Sequence, residues 1–329
     1  MPPDGPSLLV GVDGGNTKTV ALVAAPDGTI IGSGRAGCSD IYNSASIEAA
    51  LSEVKSATAG ALSAAGAAGA DVAAACLGLA GADWPEDFEL LRGELQPRLD
   101  LPSPPLILND AIAPIRAGST DGVGVSVVIG TYGVAGARNP QGEVFHLGFW
   151  PDSTGARPLG AAALAAVWRS ALGTGPDTSL TARALGLYGA DEPMNLLYEF
   201  TRRGGLPNDA SDRMAPVVLD EADAGDGVAR SIVDGQGQIL SAEALACARM
   251  VGMAGRPFRL IVSGGVMRHP STRLLDAIAA GVPEAETIRS TDAPVVGALL
   301  SAFDQAGIEP DVARIRATAP VENASVLPA

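Results

Sequence analysis

The sequence has little of the chemistry on which many binding and catalytic sites depend. Its 329 residues include three cysteines, two histidines and two lysines, and only 4% are aromatic. The cysteines Cys38, Cys76 and Cys247 are far apart, so we expect neither a disulfide framework nor a cysteine metal site. His146 and His269 are too few for a histidine-rich metal site, and a serine–histidine–aspartate hydrolase would depend on one of them.

Positive charge is also scarce. Lys and Arg number 22 against 37 Asp and Glu, which gives a formal net charge of −15. The electrostatic field of this net charge repels phosphate backbones and anionic lipid surfaces, so we expect no nucleic-acid partner and no membrane partner. The N-terminus lacks the basic and apolar segments of an export signal, and the longest apolar stretch, residues 57–82, is interrupted by Ser63 and Asp71. These features predict a cytoplasmic protein.

The sequence does contain ample apolar material and an internal repeat. Apolar residues make up 47% of the chain, and its length corresponds to about two domains. Each half reads as strand, glycine- and threonine-rich loop, strand, Pro-x-Gly turn and strand. The predicted strands of the two copies are residues 8–12, 20–25 and 29–35, and residues 123–129, 134–138 and 143–147. Two copies predict duplicated domains that face each other, which we place at residues 1–117 and 118–309.

The remaining segments complete an α/β pattern. Further strands are predicted at residues 71–80, 105–108 and 258–262, and helices at residues 46–65, 85–99, 159–172, 192–203, 222–253, 271–280 and 294–306. We expect the last of these helices to pack back on the first domain, and residues 310–329 to form a weakly ordered tail.

The first glycine-rich loop, residues 13–19, is a candidate phosphate site. Its glycines let backbone approach a ligand closely, and the Thr17 and Thr19 hydroxyls can join N–H groups around phosphate oxygens. Asp13, at a strand end, could hold Mg²⁺, and Lys18 is one of the two lysines. The loop is not a Walker A motif, because Thr17 precedes Lys18 and a strand follows. The alternative is a plain glycine-rich β-turn.

Two further strand ends carry candidate site residues. Asn109-Asp110 follows a predicted strand, where open α/β sheets place ligand groups, and a carboxylate there could act as a general base. The alternative for Asp110 is a helix N-cap. Ser263-Gly264-Gly265 also ends a strand, and its glycines would let a nucleotide base or ribose lie against backbone; the alternative is a tight strand-to-helix turn.

Over residues 8–306, the chain resembles the BadF/BadG/BcrA/BcrD ATPase family, in its N-acetylglucosamine-kinase-like branch, which lies within the actin-like, sugar-kinase and Hsp70 superfamily. The motifs that carry the resemblance are residues 11–19, residues 78–82, Asn109-Asp110, the Gly130-Thr131 loop with Gly136 and Arg138, residues 263–266, and residues 294–300.

The resemblance implies two actin-like (ribonuclease H-like) domains with ATP and Mg²⁺ bound in the cleft between them. It assigns the nucleotide and its metal to Asp13, Gly14, Gly15, Asn16, Thr17, Lys18, Thr19, Gly130, Thr131, Gly264 and Gly265, with Asp13 at the metal. Asp110 matches the catalytic base, which would deprotonate the 6-hydroxyl group of a sugar. The implied function is an ATP-dependent kinase of an amino sugar, with N-acetylglucosamine as the first candidate. A monomer and a homodimer remain open.

The sequence departs from the family pattern at three places. Tyr132 replaces a glycine of the second loop, and within residues 149–155 a sugar-binding motif is reduced to Asp152, with Gly155 as a second candidate. Asp40 takes the place of a sugar-binding asparagine, with Asn43 nearby. The predicted substrate-binding residues are Asp40, Asn43, Asn109, Asp110 and Asp152.

The departures leave a second function open, a non-catalytic sugar or nucleotide sensor on the same fold. A third, a dehydratase-activating ATPase, would need cysteines that bridge a dimer around an iron–sulfur cluster. The spacing of the three cysteines gives that function no support.

Overall fold

The computed structural model describes residues 7–148 and 154–320, which form two five-stranded mixed sheets flanked by helices. The first sheet has the order β3-β2-β1-β4-β5. Its strands are β1 (Leu8–Gly14), β2 (Thr19–Ala24), β3 (Ile30–Ala36), β4 (Val72–Leu79) and β5 (Leu106–Asn109). β1 pairs antiparallel with β2 and parallel with β4, so it lies at the centre of the sheet.

The second sheet repeats this plan in the order β10-β9-β6-β7-β8. Its strands are β6 (Gly124–Ile129), β7 (Gly133–Arg138), β8 (Val144–Leu147), β9 (Phe258–Ser263) and β10 (Ala285–Arg289). Here β6 takes the central place, antiparallel to β7 and parallel to β9. The prediction of an α/β fold with two similar halves is therefore confirmed.

Helices cover both faces of each sheet, as the continuous apolar runs of the central strands require. In the first half they are α1 (Ile47–Ala64), α2 (Pro85–Arg98) and α3 (Ile115–Gly118); in the second half and after it they are α4 (Ala156–Ala171), α5 (Leu180–Tyr188), α6 (Pro193–Thr201), α7 (Met214–Ala224), α8 (Gly227–Met250), α9 (Arg273–Gly281), α10 (Pro294–Ala306) and α11 (Val312–Thr318). All six residues of β2 are buried, which shows that this strand is covered on both sides.

The helix α10 comes late in the chain but covers one face of the first sheet. Its fully buried Phe303 belongs to a core cluster with Leu9 and Leu22 of that sheet. Two glycines allow the close approach: a Cβ at Gly11 would collide with the Leu299 backbone, and a Cβ at Gly297 would collide with the Ala113 carbonyl oxygen. The second half of the chain therefore completes the core of the first.

The two halves also meet where β5 leads into α3. Ser126 of β6 donates a hydrogen bond to the Ala111 carbonyl oxygen, and Gly136 of β7 leaves no room for a Cβ beside Ala111. Arg116 of α3 is buried, and its Nε lies 2.7 Å from Asp304 Oδ2 of α10. These contacts fix the end of β5, and with it Asn109 and Asp110, against the second sheet.

Several element boundaries differ from the prediction. The helix expected over residues 222–253 corresponds to α8; its first three residues belong to a separate helix, α7, because Gly225 takes a left-handed φ of 108° and Asp226 caps α8. The tail expected after residue 310 contains α11, whose Ile315 is fully buried in the first-half core. The strand β10 and the helix α5 were not predicted. Within the described residues, no helix is both long and apolar enough to cross a membrane.

Candidate active site

The first predicted phosphate loop is the hairpin that joins β1 to β2. The Gly15 N–H donates to the Lys18 carbonyl oxygen at 2.9 Å, and the Ser39 N–H donates to the Gly15 carbonyl oxygen at 3.2 Å. Asn16 and Thr17 at the tip are not buried, and their backbone N–H groups have no acceptor in the part of the chain that the structure describes. The tip therefore presents donors of the kind that bind phosphate oxygens.

Thr19 has a different role from the phosphate contact expected of its hydroxyl. Its side chain is fully buried, and Oγ1 donates to the Gly37 carbonyl oxygen at 2.8 Å while Ser39 Oγ lies 2.8 Å away. Ser39 in turn packs against Gly14, where a Cβ would collide with the Ser39 hydroxyl. The Thr19 hydroxyl thus holds the base of the loop because both of its neighbours face the protein interior.

The second predicted phosphate loop, residues 130–133, joins β6 to β7. It is tied to the start of α4, because the Ala156 N–H donates to the Gly130 carbonyl oxygen at 2.9 Å and the Arg157 N–H to that of Thr131 at 3.1 Å. Tyr132 is 42% exposed, and the Arg157 guanidinium carbon lies 5.3 Å from the centre of its ring. Arg157 Nε also lies 3.0 Å from Asp212 Oδ1, so three side chains brace this loop.

Both loops line one cleft of about 610 Å³ between the two halves. Thr17 and Lys18 come from the first loop, Gly130 and Thr131 from the second, and Gly265 closes one end. Basic side chains are concentrated here. Four basic side chains line the cleft, those of Lys18, Arg157, Arg213 and Arg268, against two acidic ones, those of Asp209 and Asp212. The arrangement suits a polyanion, because backbone donors and cations converge on one space.

The two glycines after β9 have separate roles. Gly264 has a φ of 102°, and a Cβ there would lie 2.5 Å from the Ile129 carbonyl oxygen, so the turn requires glycine. Gly265 borders the cleft, and a Cβ there would meet nothing within 4 Å. The next residues, Val266–Arg268, form one 3-10 turn, so the turn and an open backbone surface occur together at this strand end.

A second cleft of about 870 Å³ adjoins the first and contains the other predicted residues. Asp40, Asn43, Asn109 and Asp110 all line it, together with Asn16 from the tip of the first loop. Asp40 is 5% exposed; its Oδ1 accepts from the Tyr42 N–H at 2.8 Å and its Oδ2 from Asn43 Nδ2 at 2.7 Å. The predicted Asp152 lies outside the described residues.

The side chain of Asn109 closes the turn that follows β5. Its Oδ1 accepts from the Ala111 N–H at 2.9 Å, and its Nδ2 donates to the Ala82 carbonyl oxygen at 3.2 Å and to Asp83 Oδ1 at 3.0 Å. Asn109 therefore holds the turn that carries Asp110 while also lining the second cleft.

The environment of Asp110 favours the protonated form of its carboxyl group. Burial raises the pKa of Asp110 to about 8, with smaller contributions in the same direction from the nearby carboxylates of Asp13, Asp83 and Asp40. Burial also raises the pKa of Asp83, opposed by His146, whose Nε2 lies 3.7 Å from Asp83 Oδ1. A carboxyl group tuned in this way can accept a proton near neutral pH, as a general base must.

Sequence reasoning did not identify four residues of the site. Asp83 follows β4, and Tyr42 follows the predicted site residue Asp40. These positions in the sequence were the available signal for both residues. Glu243 reaches the second cleft from the middle of α8, and Arg157 reaches the first cleft from α4. No local pattern distinguishes either from an ordinary charged helix residue.

The donor set fits Mg²⁺. Asp13 is the last residue but one of β1, and its negative charge helps to raise the pKa of Asp110. Mg²⁺ commonly takes one or two protein carboxylates and completes its shell with phosphate oxygens and water. A metal bound only by protein would need more ligands, and residues 7–148 and 154–320 contain no group of three or more His, Cys, Asp or Glu arranged for it. The site therefore suits a cation that arrives with phosphate.

The fold matches solved sugar-kinase structures over most of the chain. A Chromobacterium violaceum protein, provisionally identified as an N-acetylglucosamine kinase, has a TM-score of 0.63 at 23% identity, with 89% of this chain and 98% of that chain covered. A ROK family glucokinase from Streptomyces griseus, solved with glucose and AMPPNP, has a TM-score of 0.57 at 19% identity, with 90% and 98% covered. These similarities show the actin-like fold.

Sequence comparison gives the family. The N-acetylmuramic acid/N-acetylglucosamine kinase of Clostridium acetobutylicum is 24% identical over 270 residues, which cover 79% of this chain and 86% of that protein. The family model of the BadF/BadG/BcrA/BcrD ATPases matches residues 10–302. Because that match spans most of the chain, the protein belongs to the BadF/BadG/BcrA/BcrD ATPase family.

Proposed function

We propose that this protein is an ATP-dependent kinase that phosphorylates the 6-hydroxyl group of an amino sugar, with N-acetylglucosamine as the first candidate. One observation carries the proposal: the two phosphate loops line the same cleft, and the raised-pKa carboxyl group of Asp110 lies in the cleft beside it. The names of the Clostridium and Chromobacterium relatives support the choice of sugar.

The first cleft has the groups to hold a triphosphate. The N–H group of Thr17 and the cation of Lys18 approach from one side, while Thr131 and Arg157 approach from the other. Gly265 leaves an open backbone surface for the nucleoside, as the resemblance implies. Mg²⁺, when bound near Asp13, would neutralise phosphate charge. Positioning and neutralisation supply most of the catalysis in phosphoryl transfer.

Asp110 supplies the acid–base chemistry. In the ionised form its carboxylate accepts the proton of the acceptor hydroxyl as that oxygen attacks the γ-phosphorus. Asn109 holds the turn that carries Asp110, and Asp40 with Asn43 borders the space for the sugar ring. We further propose that residues 1–117 and 118–309 are the two domains that enclose the substrates, since each contains one sheet and one loop.

The direct test measures ADP release with MgATP and a panel of hexoses and hexosamines. We expect turnover with at least one hexosamine and a product phosphorylated at O6, identified by ³¹P and ¹H NMR. The 6-deoxy analogue of the same sugar is the matched control, because it lacks the acceptor oxygen. Equal ADP release with both compounds would show ATP hydrolysis without sugar phosphorylation and would contradict the proposal.

Tyr132 favours a second candidate, a sugar- or nucleotide-binding sensor. Its side chain fills part of the second phosphate loop and stacks on Arg157, where a kinase would keep the backbone open to phosphate. Calorimetric binding of nucleotide and sugar without turnover on any member of the panel would support the sensor.

A further inference from the structure

Each of the two phosphate loops borders both clefts. In the first loop, Thr17 and Lys18 line the first cleft, while Asn16 lines the second. In the second loop, Thr131 lines the first cleft and Tyr132 lines the second. The boundary between the clefts therefore runs along the two loops. A phosphoryl group that passes from a nucleotide in the first cleft to an acceptor in the second has to cross this boundary.

Arg157 lies at the boundary on the side of the second loop. It is the second residue of α4 and lines the first cleft, and its Nη1 lies 3.4 Å from the hydroxyl group of Tyr132. The start of the helix is packed closely on the loop, because a Cβ at Gly155 would lie 2.6 Å from the Tyr132 Cα. The loop and the first turn of α4 therefore hold the Arg157 side chain next to the path of a transferred group.

The guanidinium group of Arg157 has donors left for a ligand. It carries five N–H groups in a planar fork. Nε donates to Asp212 Oδ1 at 3.0 Å, Nη2 donates to Asp212 Oδ2 at 3.3 Å, and Nη1 donates to Tyr132. One N–H on each of the two tip nitrogens is left without an acceptor among residues 7–148 and 154–320. A guanidinium group that presents N–H groups on both tip nitrogens can bind two oxygens of one phosphate.

We propose that Arg157 is a catalytic residue that binds the γ-phosphoryl group of ATP during its transfer, and that Tyr132 positions it. The proposal rests on the proposed kinase function and adds a residue to its mechanism. As the acceptor oxygen bonds to the γ-phosphorus, the bond to the β,γ-bridging oxygen breaks and its electron pair leaves with ADP. The acceptor proton goes to Asp110. The guanidinium group neutralises charge on the phosphoryl oxygens, and a fixed cation at that place accelerates phosphoryl transfer.

This role explains a tyrosine at position 132, where the family pattern has glycine. The φ of Tyr132 is not positive, so the loop accommodates its side chain without backbone strain. The ring stacks on the guanidinium group of Arg157, and the hydroxyl group accepts one of its N–H groups. The pair therefore supplies a charged phosphate contact in place of the open backbone that a glycine would provide.

Nucleotide calorimetry tests the contact without turnover. AMPPNP has the third phosphoryl group and ADP lacks it, so the ratio of their dissociation constants, ADP over AMPPNP, reports contacts to that group. We expect Arg157→Gln to reduce this ratio about tenfold or more and kcat by about 10²–10³. Arg157→Lys keeps the charge without the planar fork and should give intermediate values. Arg169→Gln, an exposed change near the end of the same helix, is the matched control and should alter neither quantity.

Tyr132→Gly restores the residue of the family pattern and separates two roles for the tyrosine. If Tyr132 positions Arg157, the variant loses several-fold in kcat and in the ratio of dissociation constants. Tyr132→Phe keeps the stacked ring and should lose less. If the side chain instead obstructs phosphate, Tyr132→Gly gains activity and binds AMPPNP more tightly, which would overturn the proposal.

The outcomes separate this proposal from the kinase function on which it rests. Sugar phosphorylation with an unchanged ratio or an unchanged kcat in Arg157→Gln would overturn the role of Arg157 and leave the kinase function standing. If the parent protein phosphorylates no sugar, the kinase function and the catalytic role both fail, and the ratio still decides whether Arg157 binds the γ-phosphate. If Arg157→Gln does not fold, Arg157→Lys and Tyr132→Gly provide the same two measurements, and parent values in both variants would overturn the proposal.

Discussion

Asp110 combines two properties that oppose each other, a position suited to catalysis and an environment that resists ionisation. Replacement of Asp110 by Asn keeps the shape of the side chain and removes its basicity. We expect kcat to fall by about 10²–10⁴, the usual contribution of a general base, while nucleotide affinity stays within a few-fold. Steady-state kinetics and nucleotide calorimetry on the same preparation measure the two quantities. Activity close to that of the parent would exclude Asp110 as the base.

The raised pKa of Asp110 predicts how activity depends on pH. The base works only when ionised, and in the free enzyme the pKa of Asp110 is about 8. We therefore expect kcat/KM to rise about tenfold per pH unit below that value and to level off above it. A cation bound near Asp13 lowers the pKa of the carboxyl group, so kcat should level off at lower pH than kcat/KM. A flat profile between pH 6 and 9 would contradict the assignment.

The same carboxyl group should destabilise the folded protein at alkaline pH. Its pKa is higher in the folded state than the usual value of about 4, so the folded protein binds the proton more tightly and loses stability as the pH rises from about 4 to about 8. Asp110→Asn should thus raise the melting temperature at pH 8 by several degrees, which corresponds to a gain of about 1–3 kcal/mol in the free energy of unfolding. The difference should shrink toward pH 5. A variant that melts below the parent at pH 8 would contradict this sign.

At the scale of elements, two glycines in helices have opposite roles. Gly297 of α10 lies against the Ala113 carbonyl oxygen, so Gly297→Ala forces α10 away from the first sheet and should cost about 2 kcal/mol or more. A Cβ at Gly235 of α8 would meet nothing within 4 Å, so Gly235→Ala should stabilise by about 0.5–1 kcal/mol. Urea unfolding of both variants makes the comparison. Equal changes would show that α10 is not closely packed.

The sequence predicts the helices and strands well. It predicts poorly those site residues that only the folded chain brings together. Apolar runs and glycine- and threonine-rich turns locate the core strands and both candidate phosphate loops, because periodicity and turn chemistry are local properties. The break at Gly225 was missed because one glycine inside an apolar helical pattern is often tolerated.

The second cleft could be predicted only in part. Asp40 and Asp110 stand next to recognisable motifs, so their presence in one site was predicted. The contribution of Glu243 depends on how α8 packs across the second sheet, and the buried pairing of Thr19 with Ser39 depends on how the chain continues after β3. Such tertiary contacts leave no mark in a short window of sequence.

At the scale of the whole molecule, shared packing predicts a single unfolding transition. α10 and the contact of Ser126 with Ala111 join the two halves, so neither core is complete alone. Variants that keep only Trp84, in the first half, or only Trp168, in the second, should report the same melting temperature by fluorescence. Two separate midpoints would show that the halves unfold independently.

The return of α10 to the first sheet has a consequence for biosynthesis. When the first five strands have left the ribosome, one face of their sheet, including Leu9 and Leu22, still lacks its cover. That cover arrives only after residues 110–306 have also been translated. An apolar sheet face exposed for that interval is a natural binding surface for chaperones that act on nascent chains. The order of the chain thus makes the first half dependent on a helix that is made almost last.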